Sequence, residues 1–292
     1  HSEAYSESPK MNYNSSDWKI GHSIYVSSVE KSNTHALDLI ENGVNSLNFV
    51  LPNELISLDA LLKNIDLSCI TIYFETLFLS EKFCTKLQQY SANKNTTFYV
   101  LNDPIGHLAK SGNWYADIKS DIDTLKKIIV SVKNLKGVIS VDLGLFQNAG
   151  SSMIQQLAYA LAHVNEYLNL CDDKLIKSIV FKVSIGSNYF FEIAKLQALR
   201  ILWQSLTKEY GISIDCHIIS QPSKRNKTIY DYNTNMLRTT TECMSAMLGS
   251  SDTIINMPYD HLYHKDNEFG DRISRNQLLI LKNESYFDVV SN

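Results

Sequence analysis

Short runs of β-branched and aromatic residues recur along the chain, each followed by a longer stretch whose apolar positions repeat every three to four residues. The runs at 24–28 (IYVSS), 46–51 (SLNFVL), 69–74 (CITIYF), 97–101 (TFYVL), 137–143 (GVISVDL), 178–185 (SIVFKVSI), 212–219 (ISIDCHII) and 252–258 (DTIINMP) predict eight strands, since such side chains pack well on a pleated surface. Helices are predicted over 34–42, 53–64, 80–90, 116–134, 151–169, 188–209, 233–249 and 268–284. In the 116–134 segment Ile118, Ile122, Leu125, Ile128, Ile129 and Val132 fall on one face, the stripe a helix needs to pack on a sheet. Gly43 is placed just past the end of the first helix, where only glycine turns left-handed without penalty. Asn53, after Pro52, is placed as the N-cap of the second, because its side chain can accept from an orphan helical N–H. Residues 1–17 are polar and aperiodic and read as a short extended N-terminal arm.

Strict strand-then-helix alternation predicts a parallel sheet, because parallel neighbours need crossover connections and helices supply them. Eight such units make the expected fold an α/β one, a (β/α)8 TIM-type barrel. An open doubly wound sheet shares the alternation, but its usual sign is a glycine-rich turn after the first strand. The turn here, VSSVEKSN at 26–33, has no glycine. In a barrel the chemistry sits in the loops at the strand C-termini, which here begin near Ser28, Pro52, Glu75, Asn102, Gly144, Gly186, Ser220 and Pro258.

Composition narrows the function classes. The 292 residues are 44% hydrophobic and 20% charged with a formal charge of -4, so no electrostatic case exists for nucleic acid or an anionic membrane. No apolar run reaches the length that spans a bilayer. Five cysteines, an odd number without a C-x-x-C pair, argue against a disulfide framework and for a reducing cytoplasm. The chain starts on His1 and stops at DVVSN without a capping signal, and it reads as a piece of a longer polypeptide.

Candidate chemistry is sparse. There is no G-x-S-x-G and no GK[ST], and Gly106 and Gly112 in PIGHLAKSGNW are too far apart to cradle a phosphate. The segment YDHLYHKDNE groups His261 and His264 with Asp260, Asp266 and Glu268, but H-x-x-H suits no standard zinc pattern; it reads as a solvated loop. DCHIIS is a near miss to the cobalt-binding D-x-H-x-x-G, with Asp215 and His217 on one face of a predicted strand and Ser220 for the glycine.

Four segments carry a resemblance. IYDYNTNMLRTTTECMSAMLGSSDTIINMPYDH at 229–261, EFGDRISRNQLLILKNES at 268–285, VDLGLFQNAGSSMIQQLAYALAHVNEYL at 141–168 and FFEIAKLQALRILW at 190–203 resemble methylmalonyl-CoA mutase and its acyl-CoA mutase relatives, with the spacing between them kept. Residues 30–49 and LNDPI at 101–105 match more loosely. The resemblance implies an acyl-CoA-mutase-type barrel over 18–292, ending before a C-terminal cobalamin-binding-like domain. In that family the barrel holds acyl-CoA, adenosylcobalamin lies against its mouth, and the C-terminal domain carries the cobalt-ligating histidine.

Carried over position by position, the family's polar groups are mostly replaced. Gly144 and Leu145 stand for a tyrosine and a histidine, Ile219 for a histidine, Leu101 for a glutamine and, on a looser alignment, Ser23 for a tyrosine. Gln147, Ser220 and Gln221 are kept. An aliphatic side chain cannot donate the hydrogen bond that a histidine makes to a thioester carbonyl. The pattern resembles the non-catalytic subunits of the heterodimeric mutases. It implies a catalytic large subunit as partner, adenosylcobalamin in the assembled enzyme, and no cofactor or metal on this chain. Two alternatives stay open: a competent acyl-CoA mutase with replacement residues, and a stand-alone barrel for another ligand.

Overall fold

In the computed structural model, which describes residues 18–92, 94–171, 176–264 and 267–287, eight strands hydrogen-bond in chain order and the first closes on the last. The expected (β/α)8 barrel is the observed fold. The strands are β1 Lys19–Tyr25, β2 Ser46–Leu51, β3 Thr71–Thr76, β4 Thr97–Asn102, β5 Gly137–Asp142, β6 Ser178–Ile185, β7 Asp215–Pro222 and β8 Thr253–Ile255. All neighbours are parallel, and closure pairs Lys19 with Thr253 and Gly21 with Ile255. The helices are α1 Val29–Glu41, α2 Leu58–Leu61, α3 Glu81–Ser91, α4 Pro104–Ser111, α5 Ile118–Ser131, α6 Leu143–Asn148, α7 Met153–Leu170, α8 Tyr189–Glu209, α9 Thr234–Leu248 and α10 Glu268–Asn283.

Two apolar layers follow from the period-two alternation of strand side chains. Outward-facing Leu47, Phe49, Ile72, Phe74, Phe98, Ile139, Val141 and Phe181 are buried under the helices, and each such side chain stabilises the fold by about 2–3 kcal/mol. Inward-facing Tyr73, Tyr99, Leu101, Val180, Ile219 and Ile255 form a smaller cluster inside the barrel. All five cysteines are free. No helix among the described residues is long and apolar enough to cross a membrane. The expected arm at 1–17 lies outside the described residues.

Several boundaries differ from the sequence reading. β1 begins at Lys19 rather than residue 24, because its inward positions are the small Gly21 and Ser23, which carry no hydrophobic signal. Ser28, read as strand, is the N-cap of α1. The helix expected over 53–64 shrinks to Leu58–Leu61 with Ser57 as its N-cap; Asn53 instead closes a local turn, accepting from the Leu55 N–H at 3.0 Å. α4 and α6 were not expected. Each is short and capped by an aspartate at a strand end, Asp103 just after β4 and Asp142 the last residue of β5.

Candidate functional site

The C-terminal ends of the strands surround an open cavity of ≈ 710 Å³. It lies where a barrel of this type places its chemistry. Ser23, Leu101, Gly144, Leu145, Ile219 and Gln221 all line it, so the barrel gathers residues spread over two hundred positions of sequence. The other two family positions do not reach it. Ser220 points outward, fully buried, and its Oγ pairs with Ser251 Oγ at 2.6 Å. Gln147 is buried with its Nε2 donating to the Ser184 carbonyl at 3.4 Å.

The floor of the cavity is the inner apolar cluster, and its centre is polar. Tyr73, Tyr99 and His217 form a triangle of rings: Tyr99 stacks on the imidazole at 4.5 Å and on Tyr73 at 5.2 Å, and Tyr73 lies 5.7 Å from the imidazole. Thr253 Oγ1 and Tyr73 Oη are 2.7 Å apart, and Tyr73 Oη lies 2.6 Å from His217 Nε2. The arrangement that satisfies all of them has Thr253 donating to Tyr73 and Tyr73 donating to Nε2, which leaves the proton on Nδ1 toward Asp252 at 3.7 Å. Burial lowers the imidazole's pKa, and the Asp252 carboxylate only partly opposes it. His217 is thus a packed, neutral member of the barrel floor.

Above the floor one ion pair spans the lumen. Lys182 on β6 reaches Glu75 on β3 at 2.7 Å, with side chains 18% and 27% exposed. Asn48 Nδ2 donates to Glu75 Oε2 at 3.0 Å and to Ser23 Oγ at 3.1 Å, which carries the network to β1. Asp142 lies 4.0 Å from Lys182 and caps α6 by accepting from the Gly144 N–H at 2.8 Å. Burial works against the Glu75 charge, but the Lys182 ammonium and the donors from Lys182 and Asn48 hold its carboxyl below the ordinary value. For Asp142 burial wins and the carboxyl is pushed up. Burial also disfavours the Lys182 charge, yet Glu75 and Asp142 raise it well above the usual range.

Glu75, Lys182, Asp142 and Asn48 were not singled out from the sequence as site residues. A signal was present: each is a polar residue at an inward position of a run that is otherwise apolar. On the β4 side, Asp103 caps α4 and accepts from Tyr167 Oη at 2.6 Å, with His163 Nε2 at 2.9 Å. His107 stacks on Tyr115 at 3.9 Å, and burial with nearby carboxylates pushes the Tyr115 phenol up to about 12.

The positions read from the resemblance as replacements are built into this arrangement. A Cβ added at Gly144 would lie 2.5 Å from Ser184 Oγ and 2.9 Å from Asp142 Oδ1, so no larger side chain enters without moving both. Leu101 and Ile219 are buried in the floor, 5% and 2% exposed.

Neither His217 nor His264, the histidines of the two sequence candidates, is presented as the single axial ligand of a cobalamin. His217 Nε2 is engaged by Tyr73. His264 lies at the surface, 64% exposed, with Nδ1 3.2 Å from Asp260. The loop read as solvated is in fact anchored, because Asp260 is 2% exposed and accepts from Asn267 Nδ2 at 2.8 Å. Asp266 of the same sequence cluster lies outside the described residues.

A family profile described as methylmalonyl-CoA mutase matches residues 53–290. The chain is similar to the methylmalonyl-CoA mutase small subunit of Porphyromonas gingivalis, 33% identical over 94% of this chain and 48% of that protein. It is 29% identical to the small subunit of Streptomyces virginiae over 63% of this chain and 31% of that protein. To the large subunit of the same Streptomyces it is 33% identical over 50% of this chain and 21% of that one. The chain therefore spans about half the length, or less, of these relatives. Among solved structures, a DHPS from Yersinia pestis covers 93% of this chain at 8% identity with a TM-score of 0.49.

Proposed function

The chain belongs to the methylmalonyl-CoA mutase family, and from that premise we propose that it is the barrel of a non-catalytic small subunit. In this reading it assembles with a catalytic large subunit. The isomerisation of methylmalonyl-CoA and succinyl-CoA takes place on that partner, with adenosylcobalamin held there. The similarity to proteins named small subunit supports the assignment.

The observation that carries the reading is the Glu75–Lys182 bridge across the lumen. A mutase of this family threads acyl-CoA along the barrel and needs hydrogen-bond donors where the thioester carbonyl sits. Here the lumen is crossed by an ion pair, and the floor beneath offers Leu101, Ile219 and Ile255. The open cavity is the one feature that favours the competing reading of a competent mutase with replacement residues.

The test is to assay the purified chain with adenosylcobalamin and methylmalonyl-CoA, alone and then with the large subunit. We expect no turnover and no cobalamin retained on gel filtration for the chain alone, and turnover with co-elution for the pair. Turnover by the isolated chain would falsify the non-catalytic reading.

A further inference from the structure

Three side chains unused by that reading meet at the rim of the mouth, where β1, α1 and α10 converge. His22 lies on β1 and faces outward toward the helices, His35 stands on α1, and Asp271 lies in the first turn of α10. His22 Nε2 is 3.7 Å from Asp271 Oδ1, and His35 Nε2 is 3.6 Å from Asp271 Oδ2. The imidazole rings meet edge to face at 5.6 Å. One ligand-capable atom from each residue lies within 4.8 Å of the others.

These separations are longer than hydrogen bonds. The edge of a tetrahedron of nitrogen and oxygen ligands around Zn²⁺ is about 3.3–3.4 Å, from bond lengths of about 2.0–2.1 Å. The two imidazole–carboxylate separations exceed that edge by a few tenths of an ångström, and the widest pair of the cluster, within 4.8 Å, closes by at most about 1.4 Å, a movement open to the His35 side chain. His22 and Asp271 are each 7% exposed, so their positions are set by packing, while the His35 side chain is 38% exposed and gives access. All three residues line the mouth cavity.

We propose that His22, His35 and Asp271 form a binding site for a borderline divalent cation of the Zn²⁺ type. Two imidazoles and one carboxylate make a donor set that suits Zn²⁺ or Co²⁺ and disfavours Mg²⁺ and Ca²⁺, which take all-oxygen shells. Three protein ligands leave a fourth position on the side of the cavity, for water or an anionic oxygen. Arg275, four residues along α10, is close enough for its charge to be felt at His22. It opposes a cation, so the Asp271 carboxylate is the charge on which the site depends. The ligands come from the first and last described parts of the barrel, and an ion there would tie β1 and α1 to α10 across the point of closure.

The experiment uses the purified chain without a histidine tag, dialysed against chelator and then titrated with Co²⁺. One equivalent is expected to give the visible absorption of tetrahedral Co²⁺, displaced by Zn²⁺. Zn²⁺ should also raise the melting temperature, because it binds only the folded site. His35→Ala and Asp271→Asn should weaken Co²⁺ binding by more than the roughly 10–100-fold that an outer-sphere change costs. Both should melt close to the parent in chelator and lose the Zn²⁺-dependent rise, whereas His264→Ala should keep it. The proposal is overturned if the parent shows neither the band nor the rise, or if the two ligand variants retain them.

Discussion

Replacing Lys182 with methionine strips the Glu75 carboxylate in the barrel mouth of its cation and leaves it the Asn48 amide as donor. Breaking a fully buried pair costs about 3–5 kcal/mol; with both groups partly exposed and screened, about 2–3 kcal/mol is expected here. The double variant Glu75→Leu, Lys182→Met should recover most of that loss in urea denaturation, since neither charge is then stranded. His217 makes a prediction in pH. Burial holds its imidazole below the ordinary 6.5, so the folded chain binds fewer protons than the unfolded one. Stability is therefore complete above pH ~6.5. It falls as the pH drops below that, by at most about 1.4 kcal/mol per pH unit from this residue, until the folded pKa is reached. Urea midpoints measured from neutral to mildly acid pH should show that slope, to which the buried His22, lowered to about 3, adds in the same direction, and His217→Phe should reduce it. A slope unchanged in the variant would mean that other groups carry the dependence.

Among the elements, the long amphipathic helices were legible and the short ones were not. The end of α1 shows why the first kind succeed. The Gly43 N–H donates to the Ile40 carbonyl and the Val44 N–H to the Leu39 carbonyl, both at 3.0 Å, with Gly43 at φ +94. That geometry is encoded locally by one glycine after one apolar stripe. Gly43→Ala should cost about 1–2 kcal/mol in thermal or chemical denaturation, because its Cβ would also lie 3.0 Å from the Leu279 side chain. By contrast α4 and α6 span about two turns or less, too short for an apolar period to register. Their starts depend on Asp103 and Asp142, which in sequence look like the polar ends of strands. β1 was misplaced for a related reason: strand pattern is read from bulk, and its inward face is Gly21 and Ser23.

At the scale of the whole molecule, three of the segments that carried the family resemblance bind the last helices to one another and to the last strands. Glu192 and Lys195 form a pair at 2.6 Å, each 1% exposed. Arg200 bonds the carbonyls of Cys216 and Ser250 and lies 3.0 Å from the Asp252 carboxylate. Trp203 Nε1 donates to the Ile214 carbonyl at 2.9 Å. Gln277 on α10 donates to the Met236 carbonyl and to Thr240 Oγ1, each at 2.7 Å, and accepts from Asn256 at 2.8 Å. The Arg200 and Trp203 bonds join α8 to β7 and the turn before β8, and the Gln277 bonds join α10 to α9 and to the end of β8. Arg200→Met removes the cation from beside Asp252 and the donors from two carbonyls. It should lower stability by about 3 kcal/mol or more in urea denaturation, with the eight-stranded fold retained by circular dichroism.

The alternation of branched runs and amphipathic stretches determined the parallel strand–helix order by itself, because each strand and helix states its period within a few residues; the count of eight and the lack of a glycine-rich first turn pointed on to a barrel. The identities of Gly144, Leu145, Ile219 and Leu101 were equally readable, while their standing in place of donors is what the family resemblance implies. Only the tertiary structure decided which side chains meet. Glu75 and Lys182 are 107 positions apart, His22 and Asp271 further still, and Ser220 and Ile219 are neighbours that face opposite ways. Strand parity and barrel closure set those relations, and neither parity nor closure belongs to any single segment of the chain.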